Sequence, residues 1–366
     1  MNKNKIIIFA PILGGGGVEK NLFLISNYLV NKFENVSIIT TSSEFAHKFN
    51  KKVNLIAPKK KIWNKIKSRR LKIFICLLLL VKSYLSNKKI SVLSFQGNLY
   101  CCLLCKFLKI RILLRSNASI TGWSKGFLKR ILYKKISKLA DKIIVNSYEF
   151  QKQYKREFGI NTLCIYNPLN KNKIITESKK KINFNFFKKS TVNFINVGRL
   201  VDQKDHITLL KAFLLLKNKF NFKFRLLIIG KGSNKILIQN FIKKNKLTRN
   251  IKILTFKNNP YPYIKKADIS LLTSIFEGLP NILLESLALK KVVISSDCPT
   301  GPKEILDNGK GGLLFKMKDH HDLVKKVVFY LNNKKSCEKM TKYGNKRLHR
   351  FDYNSNLNKY FKLLKN

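Results

Sequence analysis

Acidic residues are scarce in this chain. Its 366 residues hold 19 Asp and Glu against 74 Lys and Arg, a formal net charge of +55. Two readings of that excess stay open. One is attraction to phosphate, in nucleic acid, anionic lipid or a nucleotide. The other is a Lys-, Asn- and Ile-rich composition such as an AT-rich genome imposes, with the lysines merely solvated. The lysines run along the whole chain, not in one stripe. Cysteine is also sparse: seven residues, an odd number in a long chain, exclude a disulfide framework. Cys102 and Cys105 have metal-type spacing, but no second Cys/His pair lies near them. The stretch Leu99 to Cys105 reads instead as a buried helix. Long apolar runs are missing too. The longest, Ile73 to Val81, is far short of a bilayer span. The start Met1-Asn-Lys-Asn-Lys enters a strand too short for a secretory h-region. The expectation is a reduced, cytosolic chain that is soluble or peripheral, not integral.

What is present is enough apolar material for two cores: 45% of 366 residues. The first half alternates short apolar runs with helical patterns. Strands are expected at 5–10, 36–40, 53–56, 91–95, 111–114 and 142–145, and a helix at 19–31. Around Ile165-Tyr-Asn-Pro168 the pattern breaks, and a polar, basic stretch follows. A second series then begins, with strands at 192–197, 224–229, 251–254, 269–272 and 292–295 and helices at 206–219 and 236–245. The rhythm predicts an α/β fold of two doubly wound parallel sheets. The domains are 1–168, a linker at 169–191, 192–345, and a terminal helix at 346–366 that packs back on the first domain. Ligands of such folds sit at the carboxyl ends of strands, here in a cleft between the two domains.

Three motifs carry candidate chemistry. Gly14-Gly-Gly-Gly17-Val-Glu19 lies between the first strand and first helix, where glycine admits close backbone approach and a helix start favours an anion. It is neither a dinucleotide fingerprint nor an NTPase loop; a plain tight turn is the alternative. Gly198-Arg199-Leu-Val-Asp-Gln-Lys204 sets two cations after a strand. Arg forks two oxygens and Lys acts as a point charge, a pairing suited to a diphosphate; a solvated basic loop is the alternative. Glu277-Gly-Leu-Pro-Asn-Ile-Leu-Leu-Glu285 is the strongest. Pro280 suits a first helical turn, and amides near Gly278 and Leu279 suit a phosphate. If both glutamates are helical, they lie on the order of 12 Å apart. That is too far for a glycosidase pair, and suits two ends of one elongated ligand.

These motifs, in this order, resemble the GT-B family of retaining glycosyltransferases called family 4, or glycosyl transferases group 1. Ile165 to Pro168, Asn259-Pro-Tyr-Pro262, Ala267-Asp268 and Cys298-Pro-Thr-Gly-Pro302-Lys-Glu304 also look like members that add hexoses or N-acetylhexosamines to surface polysaccharides. The resemblance implies two facing Rossmann-like domains with a cleft between them. It implies that Arg199 and Lys204 hold the donor diphosphate and offset charge on the departing nucleotide. Glu277 contacts the donor sugar, Glu285 holds the ribose, and Gly16, Gly17, Gly278 and Leu279 line the donor. No Asp-x-Asp pair occurs, so cationic side chains replace a metal and no cofactor is expected. One departure stands out. Where many members carry a first-domain histidine, this chain reads Ser94-Phe95-Gln96-Gly97-Asn98; its only histidine there is His47. Arg115-Ser-Asn117 either lends polar groups to the cleft or builds a turn.

The implied activity is hexosyl transfer (the EC 2.4 type) from a nucleotide-sugar, expected as UDP-linked. The implied acceptor is a lipid-linked or growing surface glycan such as O-antigen, capsule or lipooligosaccharide. Two basic segments, Lys59 to Lys72 with Trp63 and Trp123 to Arg130 with Phe127, fit an anionic membrane, or else solvated helix faces. The expected place is the inner face of the plasma membrane. The competing classes are a nucleic-acid-binding protein, for which no DNA- or RNA-binding motif is present, and a GT-B enzyme of other chemistry such as a nucleotide-sugar epimerase.

Overall fold

The computed structural model describes residues 2–14, 16–58, 63, 68–117, 126–220 and 222–365. The chain divides into two compact units, Met1–Pro168 with Tyr353–Asn366, and Leu169–Asp352.

The first unit is built on a parallel sheet. Its strands are β1 (Asn2–Phe9), β2 (Phe33–Ile39), β3 (Asn54–Ile56), β4 (Ile90–Ser94), β5 (Arg111–Arg115), β6 (Lys142–Val145) and β7 (Leu163–Cys164). They run in the order β3-β2-β1-β4-β5-β6-β7. Continuous apolar runs are what a sheet covered on both faces demands. Alternation does the sorting: Ile6 and Ile8 enter the core on one face, Ile7 and Phe9 the core on the other. The terminal helix Tyr353–Lys365 belongs to this unit, burying Leu357, Tyr360 and Leu364 beside the helix Gly17–Leu29.

The second unit repeats the plan with β8 (Val192–Val197), β9 (Phe224–Ile229), β10 (Ile251–Leu254), β11 (Ile269–Leu272), β12 (Val292–Ser296) and β13 (Leu313–Phe315). The order is β10-β9-β8-β11-β12-β13, with every ladder parallel. Its core gathers Phe194, Phe213, Leu226 and Ile294 with apolar residues of the helix His320–Asn332.

Residues 169–191, expected as a linker, open with structure. Asn170 caps the helix Lys171–Ser178 by accepting from the Lys173 amide at 2.9 Å. That helix packs on the helices Tyr261–Lys266 and Asn281–Ala288. Further along, Phe184 stacks edge-on against Tyr263, 5.1 Å between ring centres. Lysines at 179–181 and 188–189 mask this apolar anchoring in the sequence. The strands β7 and β13, two and three residues long, are too short to leave a periodic signal.

Candidate functional site

In the second sheet the strand order reverses between β8 and β11. Loops leaving these neighbours diverge, which opens a crevice at their carboxyl ends. The β8 loop carries Gly198 to Asp205 and the β11 loop Thr273 to Pro280. They are sewn together: Ile275 donates its amide to the Gln203 carbonyl at 2.9 Å. The Thr273 hydroxyl donates to the Lys204 carbonyl at 2.8 Å, and Gln203 Nε2 to the Phe276 carbonyl at 2.8 Å. This stitching lays the Lys204 ammonium on Oε1 of Glu277, an ion pair whose side chains are only 16% and 10% exposed. Ser274 Oγ donates to the same oxygen at 2.6 Å. Two donors on one carboxylate oxygen fix its direction, because a partly buried charge is costly unless bonded. The two residues expected on diphosphate and sugar thus meet each other.

Arg199, exposed on the same loop, donates to Gln203 Oε1 at 3.0 Å. The loop after β9 supports it from the far side. The Leu200 amide donates to the Lys231 carbonyl, and the Asn234 amide to the Leu200 carbonyl, both at 2.9 Å. A Cβ on Gly230 would lie 1.9 Å from the Gly198 carbonyl oxygen, and one on Gly232 would lie 2.2 Å from that of Leu200. Only glycine permits this contact.

A fourth loop, after β12, buttresses Glu277. Thr300 Oγ1 donates to the Glu277 carbonyl at 2.6 Å, and Ser296 Oγ to the Ser274 carbonyl at 2.6 Å. Gly301, at φ +85°, presses on the Gly278 carbonyl so closely that a Cβ would sit 2.3 Å away. Burial, with the Glu277 carboxylate second, pushes the Cys298 thiol up. Gly278 and Leu279 are buried just before the helix Asn281–Ala288, for which Pro280 is the boundary residue. Glu285 lies buried within that helix. The 12 Å separation assumed both glutamates were helical. Glu277 instead lies in the loop, because Pro280 sets the helix start behind it.

His206 begins the helix His206–Phe220, buried, with neither ring nitrogen hydrogen-bonded. Burial, and next the Lys204 charge, push its pKa down to about 4. The site residues expected from sequence include neither His206 nor Ser274, Thr300, Gly230 or Gly232. Only the glycine pair, a Gly-x-Gly directly after a strand, offered a readable signal.

In the first unit the strand order reverses between β1 and β4. Gln96 sits there, donating from Nε2 to Glu19 Oε1 at 3.1 Å and accepting the Ile12 amide on Oε1 at 3.0 Å. A Cβ on Gly16 would meet Glu19 Oε2 at 3.0 Å, so the carboxylate lies folded against the start of the helix Gly17–Leu29. Arg115 is wholly buried. Its Nε donates to the Tyr360 hydroxyl at 2.8 Å, its Nη2 to Asn167 Oδ1 at 2.7 Å, and its guanidinium lies 5.1 Å over the Phe95 ring. It ties the terminal helix to the sheet. Of the basic segments Lys59 to Lys72 and Trp123 to Arg130, residues 59–62, 64–67 and 123–125 lie outside the described residues.

Residues 177–347 match the family described as glycosyl transferases group 1. An uncharacterised glycosyltransferase of Methanocaldococcus jannaschii is 35% identical over 52% of this chain and 48% of its own, so the match spans about half that relative's length. A GalNAc-alpha-(1->4)-GalNAc-alpha-(1->3)-diNAcBac-PP-undecaprenol alpha-1,4-N-acetyl-D-galactosaminyltransferase of Campylobacter jejuni is 26% identical over 98% of each chain. Among solved structures, Anabaena HepE in complex with UDP and glucose superposes with a TM-score of 0.80 at 13% identity, covering 99% of both chains. At that identity the likeness is one of fold, the two Rossmann-like sheets of GT-B proteins.

Proposed function

From the premise that residues 177–347 belong to glycosyl transferases group 1, we propose that the protein is a retaining, family 4 glycosyltransferase. It moves a hexose or N-acetylhexosamine from a nucleotide-sugar, UDP-linked in this reading, to a lipid-linked or growing surface glycan. The observation that carries the reading is the Lys204–Glu277 pair, held by Ser274 at the strand-order reversal with Arg199 on the same loop.

The chemistry follows from those groups. Transfer breaks the bond between the anomeric carbon and the diphosphate oxygen, and forms one from that carbon to an acceptor hydroxyl oxygen. The hydroxyl proton leaves with the diphosphate. Negative charge grows on the departing oxygen, and preorganised cations lower the barrier where it grows. Arg199 and Lys204 supply them without a metal. An ammonium has three N–H bonds, so its bond to Glu277 is compatible with one to phosphate. Glu277 orients the sugar and Glu285 the ribose; Gly278 and Leu279 line the donor. Gly16 and Gly17 admit close backbone approach to it. The Campylobacter relative's name specifies an undecaprenol-linked acceptor, and solved HepE holds UDP and glucose. The first supports an acceptor and the second a donor of those classes here; a peripheral place on the inner face of the plasma membrane is part of the same proposal. No described helix is long and apolar enough to cross a membrane.

Thermal-shift titration of the chain with UDP- and GDP-sugars tests the reading. The expected result is a rise in melting temperature with one nucleotide class, unchanged by a chelator and lost in Lys204→Ala. Absence of a shift with every nucleotide-sugar overturns it.

A further inference from the structure

Three helices of the first unit are apolar on two opposite faces. The helix Arg69–Ser86 buries Ile73, Cys76 and Leu80 in the core. On its other side Leu71, Phe74, Leu78 and Leu85 stand in solvent, Phe74 at 56% exposure. At 100° per residue the two stripes lie roughly opposite each other. The helix Asn98–Phe107 repeats this, with Cys101, Cys102 and Cys105 inward and Tyr100, Leu103 and Phe107 outward, Phe107 at 85% exposure. In the helix Phe127–Ser137, Tyr133 and Ile136 are buried, while Phe127, Leu128, Ile131 and Leu132 are exposed. The middle helix packs against both others, and all three cover one face of one sheet. The outward stripes are therefore neighbours. Most of the large apolar side chains exposed among the described residues lie on these three helices.

A helix apolar all round needs a second apolar environment, and a contiguous exposed patch marks an interaction surface. Charge selects the occupant. The three helices carry nine Lys and Arg and no Asp or Glu. The acids that reach them from other elements are neutralised, Asp141 on Lys106 at 2.8 Å and Glu157 on Arg130 at 2.7 Å. Beside the middle helix a basin of about 490 Å³ is lined by Lys106, Lys109, Ile110, Arg111 and Asp141. A second copy of this chain would set one cationic face against another. An anionic bilayer accepts both features, apolar side chains at the acyl boundary and cations among the headgroup phosphates.

We infer that the outer face of the helices Arg69–Ser86, Asn98–Phe107 and Phe127–Ser137 docks on an anionic lipid surface. The inference deepens the proposed function by naming the surface on which a lipid-linked acceptor is met, and its occupant rests on that reading. The test is flotation of the full chain with phosphatidylcholine vesicles, with or without phosphatidylglycerol. The variant combines Phe74→Ser, Phe107→Ser and Leu128→Ser, one exposed position per helix. Wild type should float with anionic vesicles at least about tenfold better than with neutral ones, and the variant should lose at least about tenfold. Circular dichroism and the nucleotide-sugar shift should be unchanged in the variant. Equal flotation of variant and wild type, equal binding to neutral vesicles, or no flotation of wild type overturns the inference. So does a wild-type dimer in light scattering that the variant makes monomeric. A chain that floats without any nucleotide-sugar shift keeps this surface and loses the transferase reading.

Discussion

Lys204 and His206 are two residues apart and differ in their partners. Lys204 lies on the Glu277 carboxylate, to which Ser274 also donates. His206 has no partner on either ring nitrogen, and burial drives its pKa from 6.5 to about 4. Its stability contribution has a definite sign. Above pH 6.5 the imidazole is neutral folded or unfolded. Between 6.5 and about 4 the unfolded chain takes up a proton that the folded chain refuses, so stability falls with pH across that window. The loss amounts to about 3 kcal/mol. His206→Phe should flatten this dependence in urea unfolding at neutral and acid pH; an unchanged slope would refute the assignment. The loop cations separate by a different measurement. Arg199→Ala removes an exposed side chain and should slow transfer by about 10²-fold at unchanged melting temperature. Lys204→Ala should slow transfer similarly and also destabilise by roughly 2 kcal/mol, because it strands the largely buried Glu277 carboxylate. The destabilisation, read by urea titration, distinguishes the two roles.

At the scale of elements, the candidate site is four loops held by backbone contact, with glycines where loops touch. Gly301 and Gly309 both adopt positive φ, +85° and +93°. A Cβ on Gly301 would strike the Gly278 carbonyl at 2.3 Å, whereas one on Gly309 would find its nearest neighbour at 3.8 Å. Gly309→Ala should cost only backbone strain, about 1 kcal/mol. Gly301→Ala should cost at least about twice that and weaken nucleotide-sugar binding, since it displaces the loop bearing Glu277. Equal costs for both would show that the buttress has slack. These pairings were poorly legible in sequence. Arg199 and Glu277 stood out because each sits beside a glycine in a loop that follows a strand, and Lys204 and Glu285 by their spacing from them. Ser274 and Thr300 did not, because a hydroxyl's value lies in what the fold sets opposite it.

At the scale of the molecule, each unit is stabilised by apolar cores of its own. The helix Tyr353–Lys365 closes the first unit, although in sequence it follows the second. Deleting residues 353–366 removes the buried Leu357, Tyr360 and Leu364 and leaves the Arg115 guanidinium without the Tyr360 hydroxyl. Calorimetry should then show the first unit melting well below its intact value, or not folding, with the transition of the second unit preserved. A uniform shift of both transitions would contradict this division.

The amino-acid sequence determined the architecture because parallel strands covered on both faces must be written as unbroken apolar runs. Those runs place eleven of the thirteen strands at or near their observed bounds. It also determined which loops carry charge and glycine at strand ends. Only the tertiary structure decided which side chains meet. Lys204 on Glu277, Arg115 under the terminal helix and Asn170 opening a helix inside a basic stretch are contacts between loops or segments, set by sheet order and burial, to which local periodicity is blind.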